Sequence, residues 1–311
     1  MTFATRSDPL FAELAAAVGG AVRAGEPLAM HTTLRVGGPA AVFVQAESTA
    51  DLAAVAIACA RHGRPWLVLG RGSNLLVADG GWPGVVLALG RGFRGVDIEG
   101  HHVVAGSGEP MPVLAATVAR HGLGGLAFGV AIPGSLGGAV RMNAGAHGHE
   151  LRNVLEWVEV ARLGNGGTLE RLSAADLCMG YRHTALPADA VVVRARLTLR
   201  RADPHELTAD MAEMRQWRRD HQPINEPSCG SVFRNPDGDT AGRLIDTAGM
   251  KGYTVGGAAV SLVHANFITV SPGAKAADVH AVITAVRDAV AARHGVRLQT
   301  EVVLAGFEDH L

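Results

Sequence analysis

The chain has 311 residues and 48% hydrophobic content, enough for two or three compact domains. Its 28 basic and 29 acidic side chains leave a net charge of -1 with no block of like charge, so no nucleic-acid partner is expected. The three cysteines, Cys59, Cys178 and Cys229, are widely spaced and form no Cys-x-x-Cys pair. That excludes a disulfide framework or a structural zinc site and points to a reducing, cytoplasmic setting. The 14 histidines show neither His-x-x-x-His nor His-Glu-x-x-His spacing, so no metal is expected.

Arg6, Asp8 and Glu13 interrupt the N-terminal apolar run before it reaches signal-peptide length. A helix is expected near Asp8 to Val18, then a strand at Ala40 to Ala46 and a helix over Asp51 to His62, capped by Ser48 or Thr49 and stopped by Gly63. "PWLVLG" reads as a short buried strand, followed by the polar loop "RGSN" and by "LLV" again. Short apolar strands dominate from Val85 to Leu199, with one helix around Pro112 to Arg120. Within that block Gly122 to Val140 lacks charge and approaches membrane-spanning length, but its glycines, Pro133 and Ser135 make it a poor lipid-facing helix. It reads as a buried binding segment, and no membrane insertion is expected.

After Leu199 come a polar helix, "DPHELTADMAEMRQWRRDH", a short helix around Ala241 to Thr247 and glycine-punctuated strands to Val270. The helix Ala276 to Arg293 ends at Gly295 and leads into a last strand, "VRLQTEVVLAGF". Alternation there places Arg297, Gln299 and Glu301 on one face and Val296, Leu298 and Val302 on the other.

Two loops are suited to phosphate oxygens. "GRGSN" (Gly70, Arg71, Gly72, Ser73, Asn74) offers backbone N–H groups with a hydroxyl and an amide, and "AIPGSLGGAVRMNAG" repeats the theme with Ser135 and Asn143 among glycines. Each alone is compatible with an ordinary turn; together they suit an extended diphosphate ligand. Leu75 stands where a dinucleotide fingerprint needs its third glycine, so a Rossmann domain is not expected. Arg182 in "GYRHT" can grip a carboxylate, or belong to the surface. Ser231 in "PSCGSVFRNP" lacks the glycine-flanked nucleophile elbow, and its hydroxyl, taken alone, suits a turn.

In order, "HTTLRVGGPA", "GRGSNLLVADGGWPGVV", "GLGGLAFGVAIPGSLGGAVRMNAGAHGHE", "GYRHT", "CGSVFRNP", "AGRLIDTAGMKGYTVGGAAVSLVHANFITV" and "TEVVLAGF" resemble the UDP-N-acetylenolpyruvoylglucosamine reductase family, from about Thr32 to Phe307. The resemblance implies an α+β chain: a two-part FAD-binding domain of the vanillyl-alcohol-oxidase type, residues 1–82 and 83–202, and a C-terminal α/β substrate-binding domain, residues 203–302. A strand near 303–311 would return to the second part. It implies non-covalent FAD, NADPH as hydride donor, a nucleotide-sugar substrate and a monomer or weak oligomer.

By the same resemblance Arg182 grips the enolpyruvyl carboxylate, Ser231 donates the proton and Glu301 completes the catalytic set. Gly70 to Asn74, with Ile132, Pro133, Gly134, Ser135, Gly138 and Asn143, would hold FAD; Tyr181, Asn235 and Lys251 would meet the UDP-sugar. Ala127, Ala131 and Arg234 depart from common family residues. The short interval from Arg182 to Ser231 leaves no room for the tyrosine-bearing loop of one subgroup, so the chain resembles the subgroup without it.

Arginine supplies fixed positive charge where negative charge develops on a carboxylate, and a carbanion-like centre can take its proton from a hydroxyl. A substrate oxidase on the same fold would share the glycine-rich loops without needing Arg182, Ser231 and Glu301 together. A non-catalytic nucleotide-sugar binder would be colourless.

Overall fold

A computed structural model describes residues 8–307. Helix α1 (Pro9–Ala17) starts on the Asp8 carboxylate, which accepts from the Leu10 amide at 2.9 Å. Strands β1 (Ala21–Pro27), β2 (Pro39–Ala46), β3 (Trp66–Leu69) and β5 (Trp82–Leu89) form a sheet in the order β1-β2-β5-β3. β1 runs antiparallel to β2, whereas β2 and β3 both lie parallel to β5. A parallel pair needs a crossover, and α2 (Thr49–His62) supplies it.

The two ends of α2 follow their residues. Ser48 Oγ accepts from the Asp51 amide at 3.2 Å, while Asp51 accepts in return from the amides of Glu47, Ser48 and Gly19. Gly63 stops the helix at φ 59°, where a β-carbon is disfavoured.

The second lobe is an antiparallel five-stranded sheet built from Thr168–Ser173, Leu155–Arg162, Ala190–Thr198, β7 (His102–Gly106) and β6 (Val96–Glu99), in that order. Helix α3 (Met111–Arg120) contributes Met111, Leu114 and Val118 to one core with Val158, Val160 and Leu197 of the sheet. Gly122 to Val140, read as a binding segment, folds into a two-residue strand, a 3-10 turn at Ala127–Ala131 and the short helix α4 (Leu136–Arg141), burying Phe128, Leu136 and Val140 in that core. Among the described residues no helix is long and apolar enough to cross a membrane.

Helix α5 (Pro204–His221), expected to open the third domain, turns Leu207 and Met211 into the core of the second lobe. The third domain's own core gathers Val232, Phe233, Leu244, Ile245, Val260, Val279 and Ile283. It comes from α6 (Ala241–Thr247), α7 (Ala276–His294), a small antiparallel sheet that includes Ala258–Val260 and Ile268–Val270, and the Ser231 loop. Leu34, Val36 and Leu76 of the first lobe pack into the same cluster. Asp79 accepts from the amides of Ala276 and Ala277 at 2.8 and 2.9 Å, capping α7 from across the domain boundary.

The last strand is shorter than its sequence suggests. Val296 to Val302 keeps the expected alternation, with Arg297 and Gln299 exposed and Leu298 and Val302 buried, but has no continuous ladder beyond a bridge from Thr300 to Phe233. Only Val303–Ala305 is a strand, and it pairs in parallel with β4 (Leu75–Val77) of the first lobe. The expected return to the second lobe is therefore replaced by one beside the "GRGSN" loop, where β4 offers a free edge; residues 308–311 lie outside the described residues.

Ser48→Ala removes the side-chain half of the α2 cap and should lower unfolding free energy by about 1 kcal/mol in urea titrations; an unchanged midpoint would contradict the capping role.

Candidate active site

The two glycine-rich loops meet. Arg71 Nε donates to the carbonyl of Pro133 at 2.9 Å, and a β-carbon on Gly70 would lie 2.9 Å from Ser135 Oγ. Gly72 sits at φ 62°, its carbonyl accepting from Thr33 N at 3.1 Å, and a β-carbon there would strike the His31 carbonyl at 2.1 Å. Gly134 faces Ser73, since its β-carbon would lie 3.6 Å from Ser73 Oγ. Ile132 and Pro133 form the outer edge of the second loop, half-buried and exposed respectively.

Beside the loops lies a cavity of about 200 Å³ between the two lobes, reached by Gly70, Arg71, Ser135 and Gly138 of the expected set. Val68, Leu89, Val191 and Val192 give it an apolar wall. Ser107, Arg94 and Arg141, which sequence reasoning missed, also line it. Ser107 Oγ is shielded there with no hydrogen-bond partner among the described residues. Arg141 sits within a quoted motif and was findable; its guanidinium is spent on the carbonyls of Leu186, Pro187 and Ala190, and burial lowers its pKa. Arg94 and Ser107 carry no local signal. An unpartnered hydroxyl, an exposed arginine and glycine backbone at Gly70 and Gly138 beside an apolar wall fit a diphosphate with an apolar ring system.

Asn143, expected at the cofactor, has its amide taken up by protein partners. It is fully buried at φ 40°, donates to Gly180 O at 2.8 Å and Glu150 Oε2 at 3.1 Å, and accepts from Arg152 N at 3.0 Å. A buried amide has to satisfy its polar atoms, and these partners leave it supporting the Gly180–His183 turn. That turn carries Arg182 at φ 50°, an unfavourable value for a residue with a β-carbon, held there by its surroundings.

Arg182 Nε donates to Glu301 Oε1 at 2.7 Å and Nη2 donates to Gly145 O at 3.1 Å. Glu301 comes from the other side of the site. Its amide donates to Val232 O at 2.8 Å, one residue past Ser231, and its carbonyl accepts from Asn74 Nδ2 at 3.1 Å. Ser231, Glu301 and Arg182 are thus joined through main chain and ion pair, although they come from distant parts of the sequence. Gly230 is at φ 75° with nothing within 4 Å of a hypothetical β-carbon, so its loop needs glycine for backbone angle, not for close approach. Burial pushes the Cys229 thiol up to about 12, leaving it protonated and inert beside the half-buried Ser231.

Burial raises the Glu301 pKa, and the charges of Arg182 and Arg234 pull it back. Arg234 belongs to the same strip: its amide donates to Gln299 O at 2.9 Å, so its side chain shares a face with that of Glu301, one diagonal away. Tyr181 OH accepts from Asn235 N at 3.4 Å, which brings two of the expected substrate residues together. Lys251 is paired instead with Asp246 of α6 at 2.9 Å, and no hydrogen bond among the described residues ties it to the Arg182 cluster.

A two-lobed FAD-binding domain, joined to a third domain whose Glu301 pairs with Arg182 of the second lobe, defines a flavin-dependent enzyme. Residues 40–173 match an FAD binding domain profile, and residues 222–305 match the profile of the UDP-N-acetylenolpyruvoylglucosamine reductase C-terminal domain. UDP-N-acetylenolpyruvoylglucosamine reductase of Heliobacterium modesticaldum is 47% identical over 283 residues, 90% of each chain. That of Halalkalibacterium halodurans is 43% identical over 92% of this chain and 95% of its own. The crystal structure of UDP-N-acetylenolpyruvylglucosamine reductase from Thermus caldophilus superposes with a TM-score of 0.81 at 37% identity, covering 92% of this chain and 99% of that one. The chain belongs to the UDP-N-acetylenolpyruvoylglucosamine reductase family.

Arg234→Gln removes one of the two positive charges that pull the Glu301 pKa down, so the carboxyl should titrate at higher pH than in the parent. Carbon-13 NMR of labelled glutamate measures this; an unmoved or lowered titration would show that Arg234 does not reach Glu301.

Proposed function

We propose that the chain binds FAD non-covalently and uses NADPH to reduce UDP-N-acetylglucosamine enolpyruvate to UDP-N-acetylmuramate, a step of peptidoglycan precursor synthesis. The observation that carries this reading is the Arg182–Glu301 ion pair, with the Ser231 loop bonded to the Glu301 main chain through Val232 and the "GRGSN" loop bonded to it through Asn74. When bound, FAD supplies a two-electron relay, passing the hydride of NADPH to the terminal carbon of the enolpyruvyl double bond.

In this reading Gly70, Arg71, Ser73, Ser135 and Gly138, with Ser107 and Arg94, hold the cofactor. Tyr181 and Asn235 meet the nucleotide sugar with Lys251 further out. Arg182 takes the substrate carboxylate, where negative charge accumulates as the double bond is reduced. Its Nε is already fixed by Glu301 and its Nη2 by Gly145, so the guanidinium plane is oriented before substrate arrives. Glu301 holds the Arg182 guanidinium beside the carboxylate oxygens as their charge grows. Ser231 gives its hydroxyl proton to the adjacent carbon, and water restores it.

A substrate oxidase on the same fold would have no use for this three-residue junction, which favours the reductase. In this reading the protein works in the cytoplasm, where NADPH and nucleotide sugars are found, as a monomer or weak oligomer.

The purified protein should be yellow and release FAD on mild denaturation; a colourless chain that cannot be reconstituted would remove every flavoenzyme reading. Ser231→Ala should keep FAD and accept hydride from NADPH at the parent rate, yet be reoxidised by the enolpyruvyl nucleotide about 100-fold more slowly. Stopped-flow absorbance separates the two halves, and parental reoxidation in the alanine variant would return Ser231 to the role of a turn hydroxyl.

A further inference from the structure

Asn74 ends the "GRGSN" loop, where a cofactor contact was expected of its side chain. Both of its polar groups seen in hydrogen bonds instead face the C-terminal strip. Nδ2 donates to the carbonyl of Glu301 at 3.1 Å, and its own carbonyl accepts from Val303 N at 3.1 Å. The parallel ladder of β4 with Val303–Ala305 continues directly from this pair and closes with Ala78 N on Ala305 O at 2.9 Å. At its other end the loop is tied by Arg71 to Pro133 and by Gly72 to Thr33.

The loop is therefore anchored to the second glycine-rich loop through Arg71 and to the catalytic carboxylate's main chain through Asn74. Glu301 in turn holds Val232 O through its amide and Arg182 through its carboxylate. A shift of the loop by a fraction of an ångström is passed to Glu301 through an amide bridge rather than through side-chain packing.

We propose that Asn74 is a positioning residue: its side chain straps the cofactor loop to Glu301, so that seating the cofactor sets the place of the carboxylate and, through it, of Arg182 and Ser231. The strap rests on the reductase reading for its consequence in turnover, but not for its existence. It makes the substrate half of the site depend on the cofactor half without any contact between Asn74 and substrate.

The test uses the full-length holoprotein carrying Asn74→Ala or the near-isosteric Asn74→Asp, which keeps the size and removes the N–H donors. FAD affinity, read by flavin fluorescence, should stay within about threefold of the parent, and flavin reduction by NADPH should be unchanged. Reoxidation by UDP-N-acetylglucosamine enolpyruvate should slow roughly ten- to a hundredfold, the range for a catalytic group displaced by about an ångström, with a displaced pH profile. Loss of FAD binding in both variants would make Asn74 a cofactor ligand and overturn the proposal, as would reoxidation at the parental rate and pH profile. If the parent itself is not reoxidised by the enolpyruvyl nucleotide, the reaction assignment fails, and the strap is decided separately. Adding FAD to apoprotein should then move the carbon-13 titration of Glu301 more in the parent than in Asn74→Ala, and equal movement in both would overturn it.

Discussion

A carboxylate taken out of water has to be met by positive charge, and the Arg182–Glu301 pair is where this chain meets that demand. Both side chains are largely shielded, at 19% and 15% exposure. They come from different domains, so the ion pair can form only when the third domain is seated on the FAD-binding lobes. Removing either partner of such a pair leaves the other buried and uncompensated, at a cost of about 3–5 kcal/mol. The strained backbone at Arg182, the buried amide of Asn143 behind it and the Ser231 loop beside Glu301 all serve this contact.

The domain seam explains how the pair is held in place. Val303–Ala305 adds to β4, Asp79 caps α7 from the first lobe, and Leu34, Val36 and Leu76 share a core with the third domain. Apolar burial supplies the adhesion, while the directional bonds set register. A three-domain chain with a loosely attached cap would leave Glu301 free to swing. Here its carbonyl, amide and carboxylate are each bound to a different segment. Glu301 is consequently the point at which the "GRGSN" loop, the Ser231 loop and the Arg182 turn are joined.

Much of the secondary structure was legible because its causes are local. The Ser48 cap, the Gly63 stop, the apolar stripe of α7 and its end at Gly295 are each dictated by residues within a few positions. α4 was missed because Gly137 and Gly138 weaken helix propensity and tertiary burial of Leu136 and Val140 overrides it. α5 was found as a helix but given to the wrong neighbour, since its apolar face tells that it packs and not against what. The last strand was over-extended because alternating exposure persists from Val296 to Val302 without a partner edge to make a ladder.

The sequence by itself determined the chemistry on offer: two glycine-rich loops, an arginine, a serine and a glutamate in family order, with neither metal spacing nor a disulfide pattern. Side-chain type and local backbone preference suffice for that, because they depend on near neighbours. Only the tertiary structure decided which of these groups meet. It set Asn143 against the Arg182 turn and Asn74 against Glu301, brought Ser107 and Arg94 to the cavity between the lobes, and set Arg234 on the face of Glu301. Hydrogen bonds act over about 3 Å, and no pattern along the chain specifies which residues folding will bring within that distance.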